Sequence, residues 1–213
     1  MNNIIGVIVS AIYIGIVVVS SKFMSKFGEE ASRKYIHVLL SNVWIIYMLF
    51  IDSLVAACIL PIAFVIINTL SYKFKLIKSM ERQENDGFGT IYYAISMLVV
   101  SIIAYVAGDP KIGAIGILAM GYGDGFAAII GKMVKSKKYK VGNTMKSVAG
   151  SLTMFIISLF VAFIVLKVMG VKYLIFDSLG IAVVATILEA VSIKGLDNIT
   201  VPVITTILTF LAM

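Results

Sequence analysis

Long apolar stretches, each about 17–22 residues and separated by short charged connections, constrain this chain most strongly, since a helix of about 20 apolar residues spans a bilayer. The composition agrees: 61% of the 213 residues are hydrophobic and 14% are charged, whereas a soluble domain is about half apolar and a quarter charged. The sequence therefore predicts an all-α, polytopic integral membrane helical bundle.

We predict about eight transmembrane helices. Only Asp52 and Ser53 separate the second helix from the third, so a tight turn is expected there. The N-terminus lacks the basic region of a signal peptide, and no linker divides the chain, so we expect a single transmembrane domain over residues 1–213 with a retained first helix. The predicted spans are residues 4–20, 35–51, 54–71, 90–107, 112–131, 148–166, 174–193 and 199–213.

The basic residues are unevenly distributed among the connections. Segments 21–34, 72–89, 132–147 and 194–198 hold four, four, six and one of the 18 Lys and Arg residues, and the alternate connections hold the other three. The positive-inside rule places these four segments in the cytoplasm and both termini outside. The net charge of +7 comes from basic residues in these connections, where they set the orientation of the protein in the lipid bilayer, so no nucleic acid partner is expected. We expect a multi-pass protein of a prokaryotic cell membrane.

Three acidic residues lie at the predicted cytoplasmic side. Asp124 is in the fifth span, Glu189 is near the end of the seventh, and Asp197 follows in the next connection. Ionisable residues inside membrane spans are costly and usually have a functional task. Carboxylate oxygens suit Mg²⁺, so these three residues are candidate metal ligands.

Basic residues at the same side suggest an anionic ligand. Arg33 and Lys34 precede the second span, His37 lies at its start, and Lys146 precedes the sixth. Arg33 and His37 share a helical face if that helix begins early. Arginine binds phosphate as a bidentate fork and lysine as a point charge. Together with the acids, these residues fit a polyphosphate with its metal.

The glycine-rich stretch GYGDGFAAIIGK, residues 121–132, has two interpretations. Small residues four apart commonly serve close helix packing. Alternatively, Gly123 and Gly125 let the backbone approach phosphate oxygens. A P-loop is excluded, because Gly125 and Gly131 enclose one residue too many and Met133 follows Lys132. A lone intramembrane Asp124 would also suit an ion or proton relay in a transporter.

The order of these motifs resembles the polyprenol kinase family, which includes phytol, farnesol and dolichol kinases and CTP-dependent diacylglycerol kinase, and is distantly related to phosphatidate cytidylyltransferase. GTIYY at 89–93 is similar to a segment of the phytol kinase branch, to which this short chain looks closest. The matching segments are RKYIH (33–37), GYGDGFAAIIGK (121–132), KSVAGS (146–151), Glu189 and DNITVP (197–202).

The resemblance implies a CTP-dependent kinase that uses Mg²⁺ to phosphorylate the hydroxyl of a membrane lipid alcohol at the cytoplasmic face. The acceptor would be phytol, geranylgeraniol, a polyprenol or diacylglycerol. Members of the phytol kinase branch often have two acids before the corresponding Asn, whereas here a single Asp197 precedes Asn198. The number of metal ions is therefore open. The resemblance points most strongly to Arg33, Lys34, Asp124, Gly131, Lys146, Ser147 and Gly150.

Each candidate residue has a predicted role. Asp124 is expected to hold Mg²⁺, with Glu189 or Asp197 as a second ligand or as the base for the lipid hydroxyl. The candidate catalytic residues are Asp124, Lys146, Arg33, Lys34 and Glu189. The candidate nucleotide-binding residues are Gly123, Gly125, Gly131, Lys132, Ser147, Gly150, Ser151, His37 and Asn198.

Two alternatives remain at this point. A phospholipid cytidylyltransferase would also use CTP, but it would release pyrophosphate where a kinase releases CDP. An ion-coupled transporter should place polar residues on both sides of a midplane site, whereas the predicted outer halves of these spans are almost bare. Neither the identity of the lipid alcohol nor the oligomeric state follows from the sequence.

Overall fold

The structure is a computed structural model that describes residues 2–74, 88–142 and 144–213. This part of the chain forms nine helices, a short 3₁₀ turn (Ser25–Phe27) and one two-stranded sheet. The predicted all-α membrane bundle is confirmed. The helices are α1 (Asn3–Met24), α2 (Glu29–Leu40), α3 (Val43–Phe50), α4 (Leu54–Phe74), α5 (Gly89–Val106), α6 (Pro110–Met133), α7 (Val148–Met169), α8 (Leu174–Val191) and α9 (Asp197–Leu211).

Six helices in the described part of the chain, α1 and α4 to α8, are long and apolar enough to cross a membrane. The predicted span 35–51 is divided between α2 and α3, and the predicted span 199–213 lies in α9, which has 15 residues. The total of eight spans and the outside location of the termini therefore stay predictions. Most of the predicted connection 72–89 lies outside the described residues.

The break between α2 and α3 falls at Ser41 and Asn42, where side chains satisfy the interrupted backbone. Asn42 Nδ2 donates a hydrogen bond to the Tyr13 hydroxyl at 3.1 Å, and that hydroxyl donates to the Leu39 carbonyl at 3.0 Å. Tyr122 of α6 donates to Asn42 Oδ1. Non-helical backbone at membrane depth is tolerated where protein groups satisfy it, and this network provides those groups.

Helix α6 lies at the centre of the bundle. In its most apolar stretch 72% of the residues are buried, against 22–39% in the other five long helices. Small residues permit this position, since a methyl group at Gly116 would collide with the Pro202 carbonyl and Thr206 of α9. Outer helices instead expose large apolar side chains, such as Phe160 and Phe176, as expected of a lipid-facing surface. Asp124 therefore lies on the central helix of the bundle.

The glycine-rich stretch of α6 is helical, not unwound. Residues Ala119–Asp124 form a π-helical turn, and α-helix continues over Gly125–Met133. A π turn inserts an extra residue into a helix and often occurs at functional sites. This turn ends at Asp124, and so it sets the direction from which that carboxylate leaves the helix.

A β-hairpin occupies the predicted basic connection 132–147. Strand β1 (Lys138–Val141) pairs antiparallel with strand β2 (Thr144–Ser147), and Tyr139 lies opposite Lys146. The Tyr139 hydroxyl is 2.5 Å from Ser151 Oγ at the start of α7. This contact joins the hairpin to the helix bundle and places Lys146 over its end.

Candidate functional site

Three carboxylates meet at one end of the bundle. Asp124 ends the π turn of α6, Glu189 lies in the last turn of α8, and Asp197 opens α9. One oxygen atom from each residue lies within 4.8 Å of the others. The sequence predicted these acids as metal ligands, and the structure brings them together. Three oxygen donors at this spacing fit a hard divalent cation such as Mg²⁺.

Lys34 pairs with Asp124. Its Nζ donates to Asp124 Oδ2 at 2.5 Å, and His37 Nε2 is 3.8 Å from the same oxygen. Helix α2 begins at Glu29, ahead of the predicted span. Arg33 and His37 were predicted to share a helical face if the helix began before Arg33. It does, so both residues lie within α2.

Lys146 pairs with Glu189 in the same way. Its Nζ donates to Glu189 Oε1 at 2.7 Å and also to the backbone carbonyl of Glu189. The side chains of both residues are only about a tenth exposed. A buried charge is costly unless it is paired. Asp124 and Glu189 each have a lysine partner from another element.

A polar cavity surrounds the three carboxylates. It encloses about 450 Å³, within the range of roughly 300–1,000 Å³ typical of small-molecule sites. Its wall combines α2, the end of α6, the hairpin, the start of α7 and the turn between α8 and α9. Six basic residues line it: Arg33, Lys34, Lys132, Lys138, Lys146 and Lys194. This excess of cations over three acids favours a polyanionic ligand.

Most of the predicted site residues line this cavity. In addition to the residues above, Gly131, Ser147, Gly150, Ser151 and Asn198 do so.

Gly123, Gly125 and His37 lie elsewhere. A methyl group at Gly123 would collide with Met154 of α7, and one at Gly125 would collide with Val38 of α2. The structure thus gives these two glycines a helix-packing role instead of a place at the cavity wall.

Glycines allow the end of α6 to approach the start of α7. A Cβ at Gly131 would lie 2.6 Å from Ser147 Oγ, and one at Gly150 would lie 3.0 Å from the Ala127 carbonyl. Ser147 caps α7, since its Oγ accepts a hydrogen bond from Gly150 N at 3.1 Å. The amides of Val148 and Ala149 are also bonded within the protein. An anion at the start of α7 would therefore interact with the helix dipole, because the first three amides of the helix already donate hydrogen bonds within the protein.

Curated phytol kinases are similar to this chain over most of its length. The chain is 32% identical to the phytol kinase of Synechocystis sp., over 93% of this chain and 87% of that protein. The chain belongs to the phytol kinase family. It is also 31% identical to the probable chloroplastic phytol kinase of Triticum aestivum and 29% identical to chloroplastic phytol kinase 1 of Arabidopsis thaliana, in each case over 86% of this chain and 67% of the relative. No protein-family model and no solved structure matches the chain.

Membership of the phytol kinase family confirms the resemblance found in the motifs and the predicted enzyme class, a kinase that phosphorylates an alcohol. The motifs that carried the resemblance are far apart in the sequence, yet residues from the RKYIH, KSVAGS and DNITVP segments line one polar cavity.

Several residues that line the polar cavity were not predicted from the sequence of this phytol kinase family member. Lys138 and Thr144 come from the hairpin, which Gly142-Asn143 could have indicated because Gly-Asn is a common two-residue hairpin turn. Lys194 lies in the turn between α8 and α9 with a φ of 52°, a left-handed conformation uncommon for residues other than glycine. Gly195 follows with a φ of 78°. This turn directs the chain so that Asp197 faces the other two carboxylates.

A second, apolar cavity adjoins the first. It lies between α2, α4 and α5, and four residues, Arg33, Lys34, Asp124 and Asn198, line both cavities. His37 faces this second cavity, and its ring centroid is 4.4 Å from that of Tyr93. Because they share this wall, the polar cavity lies directly beside the apolar one.

Proposed function

We propose that this protein transfers the γ-phosphoryl group of CTP to the hydroxyl of a membrane isoprenoid alcohol, with Mg²⁺, at the cytoplasmic face of the bilayer. The supporting observation is the convergence of three carboxylates and six basic residues on one cavity. The names of the relatives support phytol or a related alcohol as the acceptor. CTP as the donor follows from the resemblance of the motifs to the polyprenol kinase family.

Asp124 would hold the Mg²⁺, with Glu189 or Asp197 as the second protein ligand. Their oxygen atoms are mutually close, and Mg²⁺ is typically bound through one or two carboxylates together with substrate phosphates. When bound, the ion would neutralise negative charge on the triphosphate.

The basic residues would position the triphosphate. Lys34 and Lys146 balance the charge of Asp124 and Glu189, and an entering triphosphate would give both ammonium groups a second anionic partner. Arg33 lines the same wall and can bind phosphate oxygens with its planar fork. Catalysis of phosphoryl transfer consists mostly of positioning and charge neutralisation, which this set of residues supplies.

The proposed reaction conserves all atoms. The alcohol oxygen forms a bond to the γ-phosphorus, while the bond from that phosphorus to the β–γ bridging oxygen breaks. CDP leaves with the electron pair of that bond. We assign the hydroxyl proton to Glu189 or Asp197, whichever does not hold the metal.

Purified protein in detergent tests the proposal, with CTP or ATP, Mg²⁺ and a panel of lipid alcohols. Mass spectrometry should find an alcohol monophosphate and CDP in equal amounts, and a chelator should abolish both. Pyrophosphate with a CDP-linked lipid would instead identify a cytidylyltransferase. Solute flux in proteoliposomes without nucleotide consumption would favour a transporter.

The cytoplasmic location of the site is tested with sealed membrane vesicles. Inside-out vesicles should use added CTP, and right-side-out vesicles should not.

A further inference from the structure

Residues from successive turns of three helices line the apolar cavity. Its lining extends from Lys34 to Leu40 on α2 and on to Val43 at the start of α3, from Asn68 back to Leu60 on α4, and from Thr90 to Met97 on α5. A helix rises 1.5 Å per residue, so the stretches on α2, α4 and α5 each cover about 9–12 Å. Each begins with a polar residue and ends with an apolar one.

The polar end of this cavity is the wall that it shares with the polar cavity. Asp124 and Asn198 lie there. Asn68 closes the same end between two helices, since its Nδ2 donates to the Thr90 carbonyl at 3.2 Å. An amphipathic molecule with one polar head would therefore place that head next to Asp124.

Buried apolar side chains form the rest of the wall. Ile36, Leu40, Val43 and Met97 are at most 8% exposed. The space left between these side chains is narrow, about 60 Å³. An entering chain must push flexible side chains aside, and methionine adapts readily to such changes. So narrow a space favours a single hydrocarbon chain over the two acyl chains of diacylglycerol.

We propose that the apolar cavity binds the single hydrocarbon chain of the acceptor alcohol, with the hydroxyl at Asp124 and the carbons farther along the chain against Val43, Leu60 and Met97. These three residues then determine the chain length that the enzyme accepts. This inference rests on the proposed function and assigns its acceptor to a place in the protein. It also selects a single-chain isoprenoid alcohol over diacylglycerol.

Leu60→Trp tests the assignment, with Ile59→Trp as the matched control. The two residues are adjacent on α4, but Leu60 lines the cavity and Ile59 is 48% exposed on the outer surface. We would measure kcat/KM for C10, C15 and C20 isoprenoid alcohols and for diacylglycerol. Leu60→Trp should lower the value for the C20 alcohol about tenfold or more relative to the C10 alcohol, a typical effect of misfit in an apolar pocket. Ile59→Trp should keep the wild-type profile, and the nucleotide KM should stay unchanged in both.

A second variant keeps the test decisive if Leu60→Trp does not fold. Leu60→Ala widens the distal end and should shift preference toward longer chains. A wild-type protein that phosphorylates no alcohol would refute the proposed function itself. An active wild-type enzyme whose chain-length profile is identical in the Leu60 and Ile59 variants, or which uses diacylglycerol as well as the C20 alcohol, would refute the cavity assignment alone.

Discussion

The two lysine–carboxylate pairs of the polar cavity are alike in geometry and differ in position. Lys34–Asp124 and Lys146–Glu189 have nitrogen–oxygen distances of 2.5 and 2.7 Å, and all four side chains are 10–13% exposed. Lys34 and Asp124 line both cavities, whereas Lys146 and Glu189, among the described residues, belong to the lining of the polar cavity. Equal ion pairs can thus have unequal tasks. The Lys34–Asp124 pair lies where the nucleotide and the acceptor alcohol would meet, and the Lys146–Glu189 pair would contact the nucleotide.

Among the variants that test this comparison, Asp124→Asn should lower turnover most. Losing a metal ligand at the shared wall removes charge stabilisation worth several kcal/mol, and about 1.36 kcal/mol corresponds to tenfold in rate. We expect kcat to fall about 10³-fold or more. Steady-state kinetics with saturating CTP and alcohol measures this change.

Two further variants control for folding and for position. Asp124→Asn leaves the Lys34 charge unpaired, so the Lys34→Met/Asp124→Asn double variant, which removes both charges, should elute as a folded protein and remain inactive. Asp177→Asn makes the same substitution in the first turn of α8 and should retain near-normal rates. Normal turnover in the Asp124 variant would disprove its assignment as a metal ligand.

Lys34→Met should weaken use of both substrates. Lys34 lines both cavities, so each substrate would lose a hydrogen bond from a charged group, worth about 1.5–3 kcal/mol. We expect kcat/KM for CTP and for the alcohol each to fall about 10²-fold, with partial recovery in Lys34→Arg. If only the CTP value changes, the two lysines are equivalent and the proposed meeting point is wrong.

Lys146→Met should act on the nucleotide alone. A hydrogen bond from a charged group is worth about 1.5–3 kcal/mol, so the KM for CTP should rise about ten- to hundredfold while the KM for the alcohol stays constant. Lys140→Met is the control, because Lys140 lies in the same hairpin and is exposed away from the cavity lining. An equal rise in both KM values would contradict the separation of the two pairs.

Lys194→Ala should have the smallest effect. Lys194 is solvent-exposed at the cavity rim, where screening reduces an ionic contact to about 0–1 kcal/mol. The KM for CTP should rise about two- to fivefold at low ionic strength, and the difference from wild type should vanish in high salt. A salt-independent loss would indicate that the left-handed turn at this residue, and not its charge, matters.

Much of the site could be predicted from the sequence, because its chemistry depends on residue type and on side of the membrane. Charges are rare inside spans, so Asp124 and Glu189 stood out, and the alternation of basic connections placed both on one side with Asp197. The structure shows their convergence. The division of the span 35–51 escaped prediction, because the network of Asn42, Tyr13 and Tyr122 that satisfies the break joins distant helices.

By itself, the sequence determined the membrane-embedded helical class. Apolar stretches of this length must satisfy their backbone hydrogen bonds internally in lipid, and a helix does so without any partner. The tertiary structure decided which of the packing glycines also line the cavity. Gly123 meets Met154 of another helix, whereas Gly131, which packs against Ser147, also lines the polar cavity. Residues of one helix acquire different surroundings from different neighbours, and those neighbours are fixed only when separate helices pack together.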